Sequence, residues 1–82
     1  MEIKPLRSDL LRYLKKHNLV KKFVKQAGLF CQNPCYPSLN TEILEPRQLK
    51  IYSFRIDSKY RAVFVFFDKN TVEIVDINLH YQ

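Results

Sequence analysis

The sequence predicts an α+β fold in which two N-terminal helices pack on one face of a small antiparallel sheet, in the order β-α-α-β-β-β. Three observations carry this. Apolar residues recur at helical spacing between residues 10 and 31, the runs 49–56, 60–67 and 71–79 are rich in β-branched and aromatic residues, and only short polar links separate those runs. The 82 residues read as a single domain over 1–82, and a chain this short needs an efficient core. Hydrophobic residues at 46% and aromatics at 13% supply one, while a single Gly leaves no flexible linker, and no internal repeat is evident.

Residues 1–6 read as a short opening strand, with Ile3 between polar neighbours and Pro5 confining it to an edge. Ser8 is the expected N-cap of a first helix, Asp9 its first-turn acid, and Leu10, Leu11 and Leu14 its buried face, with the end near His17. Asn18 is the expected cap of a second helix. Leu19, Val20, Phe23, Val24, Ala27, Phe30 and Cys31 form its buried stripe, and Asn33-Pro34 stops it. Gly28 inside that helix hints at close packing. Residues 33–49 hold most of the prolines and read as an extended loop or turn, followed by a three-stranded antiparallel meander.

The register follows from asking which pairing gathers the apolar side chains on one face. A three-residue turn at 57–59 sets Ile56 against Tyr60, Phe54 against Ala62, Tyr52 against Phe64, and Arg55 against Arg61. A turn at Lys69-Asn70 sets Phe64 against Val75, Ala62 against Ile77 and Tyr60 against Leu79. The opposite face then gathers Ser53, Arg55, Arg61, Asp76, Asn78 and His80 at one end, with Ile51, Val63, Val65 and Ile74 beyond them.

Arginines beside a histidine and a tyrosine suit a phosphodiester. A guanidinium binds phosphate oxygens and stays charged, the His80 imidazole can donate a proton to a leaving oxygen near neutral pH, and Tyr81 offers a stacking face or a hydroxyl. Strict alternation turns Tyr81 to the other face, so its part in the site requires the chain to leave strand geometry. The net charge of +6, from 14 Lys and Arg against 8 Asp and Glu, attracts polyanions. Solubility alone, or an acidic protein partner, accounts for it as well. Lys15, Lys16, Lys21, Lys22 and Lys25 make one helical edge cationic, either as a solvated face or as a contact for an anionic surface.

Cys31 and Cys35 lack a second pair or a neighbouring histidine, so no metal is expected. Cys31 falls on the helical stripe and Cys35 in the loop, both reduced thiols in a cytoplasmic protein. No apolar run reaches the roughly 20 residues of a membrane helix, and the N-terminus lacks the pattern of a secretion signal. The expectation is a cytoplasmic protein without a membrane partner.

The stretch Tyr36-Pro37-Ser38-Leu39-Asn40, then Leu44-Glu45-Pro46, YSFRID, KYRAVFVFF, VEIVDIN and the closing His80-Tyr81-Gln82 resembles the RelE/ParE superfamily of bacterial type II toxin–antitoxin toxins. The ending is most similar to the YoeB and RelE branch, whose members cut messenger RNA on the ribosome. That resemblance implies a RelE-like fold, a cognate antitoxin, the ribosome and mRNA as partners, and cleavage without metal or cofactor by attack of the RNA 2′-hydroxyl. It also implies roles: Glu45 as general base, Arg61 as charge stabiliser, His80 as general acid and Tyr81 as positioning group. Arg55 is implied as a phosphate contact, with Arg47, Lys50 and Lys59 as further RNA contacts and the helix lysines against ribosomal RNA. Glu42 remains an alternative base. The other reading is a protein that binds without cleaving, a gyrase poison of the ParE type or an inactive basic module neutralised by an acidic antitoxin.

Overall fold

The computed structural model describes residues 1–79. Nine short elements follow one another: β1 (Glu2–Ile3), α1 (Ser8–Lys16), α2 (Val20–Gln32), a 3-10 turn at Pro37–Leu39, β2 (Glu42–Ile43), a second 3-10 turn at Arg47–Leu49, β3 (Tyr52–Arg55), β4 (Tyr60–Asp68) and β5 (Thr71–Leu79).

Helix α1 turns Leu10 and Leu14, one turn apart, into the core and leaves Leu11 exposed. Ser8 is its first helical residue rather than its cap; Arg7 holds the cap position in extended conformation and pairs its guanidinium with Asp9, Nε to Oδ1 at 3.1 Å. Asn18 ends α1 instead of starting α2. Its φ of 56° is left-handed, its N–H reaches the Lys15 carbonyl at 3.2 Å and the Leu19 N–H reaches the Leu14 carbonyl at 2.8 Å. These are the two bonds of a Schellman closure, and asparagine suits it because it tolerates the left-handed region. Leu19 and Leu14, both buried, complete its hydrophobic contact.

In α2 the buried line is Leu19, Phe23, Gln26 and Phe30. Val24, expected inside, is 62% exposed because it lies a further 100° round the helix from Phe23. Gly28 is exposed and a Cβ there would meet nothing within 4 Å, so close packing does not explain it.

The sheet has five strands in the order β1-β5-β4-β3-β2, and it is mixed rather than antiparallel because β1 runs parallel to β5. Strand β2 emerges within the stretch expected to be a loop, and β3 begins at Tyr52 rather than Leu49 because the turn Arg47–Leu49 closes with Lys50 in the left-handed region. The β3–β4 register is as expected: Tyr52 faces Phe64, Phe54 faces Ala62 and Arg55 faces Arg61. Between β4 and β5, Tyr60 faces Leu79 and Ala62 faces Ile77, but a bulge past Val63 sets Phe64 against Ile74 instead of Val75. The extra residue reverses the alternation, so Ile74 enters the core at 2% exposure instead of the opposite face.

Both helices cover the face that carries Phe54, Ala62 and Phe64. Phe30 stacks on Phe54 and meets Phe64 edge-on, each at 5.0 Å between centroids. Among the described residues no helix lies on the other face of β3, β4 and β5, which carries Ser53, Arg61 and Asn78.

Candidate functional site

Alternation along β4 turns Arg61 away from the helices, yet it is only 4% exposed. Its guanidinium is enclosed by its neighbours. Nε donates to Ser53 Oγ at 2.9 Å on the adjacent strand, while Nη2 donates to the carbonyls of Asn40, at 2.6 Å, and Ser53, at 3.3 Å. Nη1 is buried without a hydrogen-bond partner among the described residues. Burial pulls the guanidinium below its ordinary pKa; Glu42 opposes that pull and Arg55 adds to it. An arginine still keeps its proton under any such pull, so the site holds a buried positive charge with unused donors.

The Asn40 carbonyl arrives from a loop held by its own small core. Leu39 is fully buried, Asn40 takes a left-handed φ of 44°, and the Thr41 hydroxyl donates to the Pro34 carbonyl at 2.6 Å. Gln26 ties that loop to the sheet: its Nε2 donates to the Ser38 carbonyl at 3.2 Å and to the Arg55 carbonyl at 2.8 Å. This explains a polar residue in the buried line of α2, since loop carbonyls taken from water need donors.

Over Arg61 and Ser53 opens a cleft of about 290 Å³, also lined by Glu42, Leu44, Val63 and Asn78. Asn78 faces Arg61 across β4 and β5 and donates from Nδ2 to Asp76 Oδ2 at 2.9 Å. Glu42 accepts from Asn40 Nδ2 at 3.3 Å. The cleft thus joins an anchored cation, a carboxylate and an amide.

Of the residues expected in a site, Arg61 lies in the cleft and Arg55 is its cross-strand neighbour. Glu42 lines the cleft, whereas Glu45 is exposed beside Pro46 and is not among the lining residues. His80 and Tyr81 lie outside the described residues. Lys50 lines a different cleft, of about 420 Å³, with Leu49, Tyr52 and Phe66. Arg47 and Lys59 are exposed on the turns before and after β3. Lys15, Lys16, Lys21 and Lys25 are exposed on the helices, which cover the opposite face, and Lys22 is engaged by Asp57 at 3.2 Å. Among the described residues, no three His, Cys, Asp or Glu side chains converge to hold a metal ion. Likewise, no helix is long and apolar enough to cross a membrane.

Sequence reasoning missed the anchoring roles of Ser53, Asn40 and Gln26. Only Gln26 left a signal, as the one polar residue on an apolar stripe; the others act through backbone carbonyls or a hydroxyl, which no residue pattern encodes.

No family model matches the sequence, nor does any curated protein. Solved structures do. A YoeB/ParE toxin from Agrobacterium tumefaciens superposes with a TM-score of 0.72 at 17% identity, over 99% of this chain and 100% of that one. The fold is that of the YoeB and ParE toxins. A heterotetrameric YoeB-YefM toxin–antitoxin complex from Staphylococcus aureus matches the YoeB-type fold with a TM-score of 0.69 at 23% identity, over 98% of this chain and 94% of that one. A YoeB dimer from the same organism gives 0.65 at 23% identity with the same coverage.

Proposed function

We propose that this chain is the toxin of a toxin–antitoxin pair and acts as an endoribonuclease on ribosome-bound mRNA in the cytoplasm. The observation that carries the reading is Arg61: a buried guanidinium at the base of a cleft, with one nitrogen that has no acceptor among the described residues. Such a group is costly unless an anion completes it. A phosphodiester does so most effectively when its oxygens gain charge, as in the pentacoordinate transition state.

The reaction needs a base, a stabiliser and an acid. A carboxylate takes the proton of the RNA 2′-hydroxyl, the bond from O2′ to phosphorus forms, and the bond from phosphorus to O5′ breaks. Arg61 holds the charge that develops on the phosphate oxygens, and His80 gives the proton to the departing O5′. A 2′,3′-cyclic phosphate remains. Glu45, next to Pro46, carries the base role by its resemblance to YoeB-like toxins; Glu42, on the cleft wall, is the competing carboxylate. Tyr81 positions the substrate, and Arg55 supports the phosphate, with Arg47, Lys50 and Lys59 contacting RNA further out. The partner that restrains the toxin is a cognate antitoxin, as in the YoeB-YefM complexes that share the fold.

Controlled expression in a bacterial host tests this. Growth should arrest and transcripts should be cut within translated codons, and both effects should vanish with Arg61→Ala or His80→Ala. Arrest with an intact transcript pool overturns the endonuclease reading. Comparison of Glu45→Gln with Glu42→Gln identifies the base as the carboxylate whose loss stops cleavage while the chain stays folded.

A further inference from the structure

We propose that Asn78, oriented by Asp76, reads the edge of a nucleobase beside the phosphate held at Arg61 and selects bases that carry an exocyclic amine over uracil. The inference rests on the endonuclease reading and adds a specificity element to the same site.

Placement comes first. Asn78 is the Cα partner of Arg61 across β4 and β5 and lines the same cleft. Side chains directly opposite on a sheet stand about 5 Å apart at Cβ. A phosphate bound at Arg61 therefore brings an adjoining nucleoside to Asn78.

Orientation comes second. The Asn78 amide donates from Nδ2 to Asp76 Oδ2 at 2.9 Å. An ionised carboxylate only accepts, so the nitrogen and not the oxygen of the amide must face it. This bond fixes the amide and leaves Oδ1 and one N–H for a ligand. Both residues are exposed, so the bond contributes little to folding.

Chemistry comes third. A phosphate accepts only, and the Asp76 carboxylate repels it, so this pair does not belong to the phosphate grip. The groups left without a partner among the described residues are the acceptors Asn78 Oδ1 and Asp76 Oδ1 beside one N–H. That set matches an exocyclic amine with a neighbouring ring nitrogen, as in adenine, cytosine or guanine. Uracil has a single N–H between two carbonyl oxygens, and one of those oxygens would meet the carboxylate.

The experiment maps 5′ ends across the transcriptome after brief expression of the full chain, for the parent, Asn78→Ala and Asp76→Asn. The parent should show a deficit of uracil at one fixed position relative to the cut. Both variants should keep cutting while the uracil share at that position rises, by roughly tenfold relative to the amino-bearing bases. Cutting by both variants with an unchanged base profile overturns the inference and leaves the endonuclease reading intact. A folded variant that no longer cuts overturns it too, because Asn78 or Asp76 would then serve catalysis rather than selection. A parent that cuts nothing overturns the endonuclease reading and the inference with it. Circular dichroism of the purified variants establishes folding, and Asn78→Ser serves in place of an Asn78→Ala chain that fails to fold.

Discussion

Arg61 keeps a positive charge in a nearly closed setting, so its effects on stability and on ligand binding should separate. An apolar side chain of similar volume removes the desolvation cost of the charge, but it leaves the Asn40 and Ser53 carbonyls and the Ser53 hydroxyl without their donor. The two effects oppose each other, so Arg61→Met should unfold within about 1 kcal/mol of the parent in urea titrations. The parent's melting temperature should rise with inorganic phosphate while that of the variant should not, since a ligand stabilises only the state it binds. Ser53→Ala acts in the opposite sense. It leaves the charge and removes the hydroxyl that Nε bonds at 2.9 Å, so the fold should lose about 2 kcal/mol and phosphate should lose its grip. Ser53→Thr, which keeps an oxygen in place, should restore both. The arginine's place on the sheet was legible, because alternation and turn length determine it. Its anchors were not, since the Asn40 and Ser53 carbonyls belong to the backbone and depend on how a loop folds back.

At the scale of elements, a substitution should register at two junctions. The Schellman closure at Asn18 requires a left-handed residue. Asn18→Ala should cost about 1 kcal/mol in urea unfolding, whereas Asn18→Gly should be neutral or slightly stabilising. The β3–β4 turn depends on Asp57, whose Oδ1 accepts the N–H groups of Lys59 and Tyr60, both at 2.8 Å. Burial works against its charged form, but those N–H groups and Lys22 outweigh it and hold the carboxyl below its ordinary pKa of 3.8. A carboxyl lowered in the folded state stabilises the fold above its unfolded pKa, and that contribution fades as pH falls through the folded value. Stability measured from pH 5 downward should therefore fall less steeply in Asp57→Asn than in the parent.

That turn was legible because Asp-Ser-Lys between two apolar runs has one pairing that buries both. The bulge past Val63 was not: Ile74 and Val75 are both β-branched and apolar, so either satisfies the pattern, and only the packing of Phe64 distinguishes them. Strand β2 escaped because two residues carry no period. Val24 failed for a related reason, since a stripe of apolar residues gives the face of a helix but not its width.

For the whole molecule, the helix lysines and the Arg61 cleft occupy opposite faces of a body whose least extent is 24 Å. Charges separated by more than the Debye length, about 8 Å at physiological ionic strength, act nearly independently through solvent. The lysines of α1 and α2 therefore do little to hold a phosphate in the cleft, and under the proposed function they serve a second polyanionic surface, the ribosome. Reversing Lys16, Lys21 and Lys25 to Glu, while sparing Lys22 because it holds Asp57, separates the two roles. Ribosome binding should weaken, and the slope of log affinity against log salt should flatten by about 3, as expected for three lost phosphate contacts on a double-stranded nucleic acid. The rise in melting temperature with inorganic phosphate should stay at the parent's value. If it falls along with ribosome affinity, the two faces are coupled and the cleft is not the independent anion site that its anchored guanidinium implies.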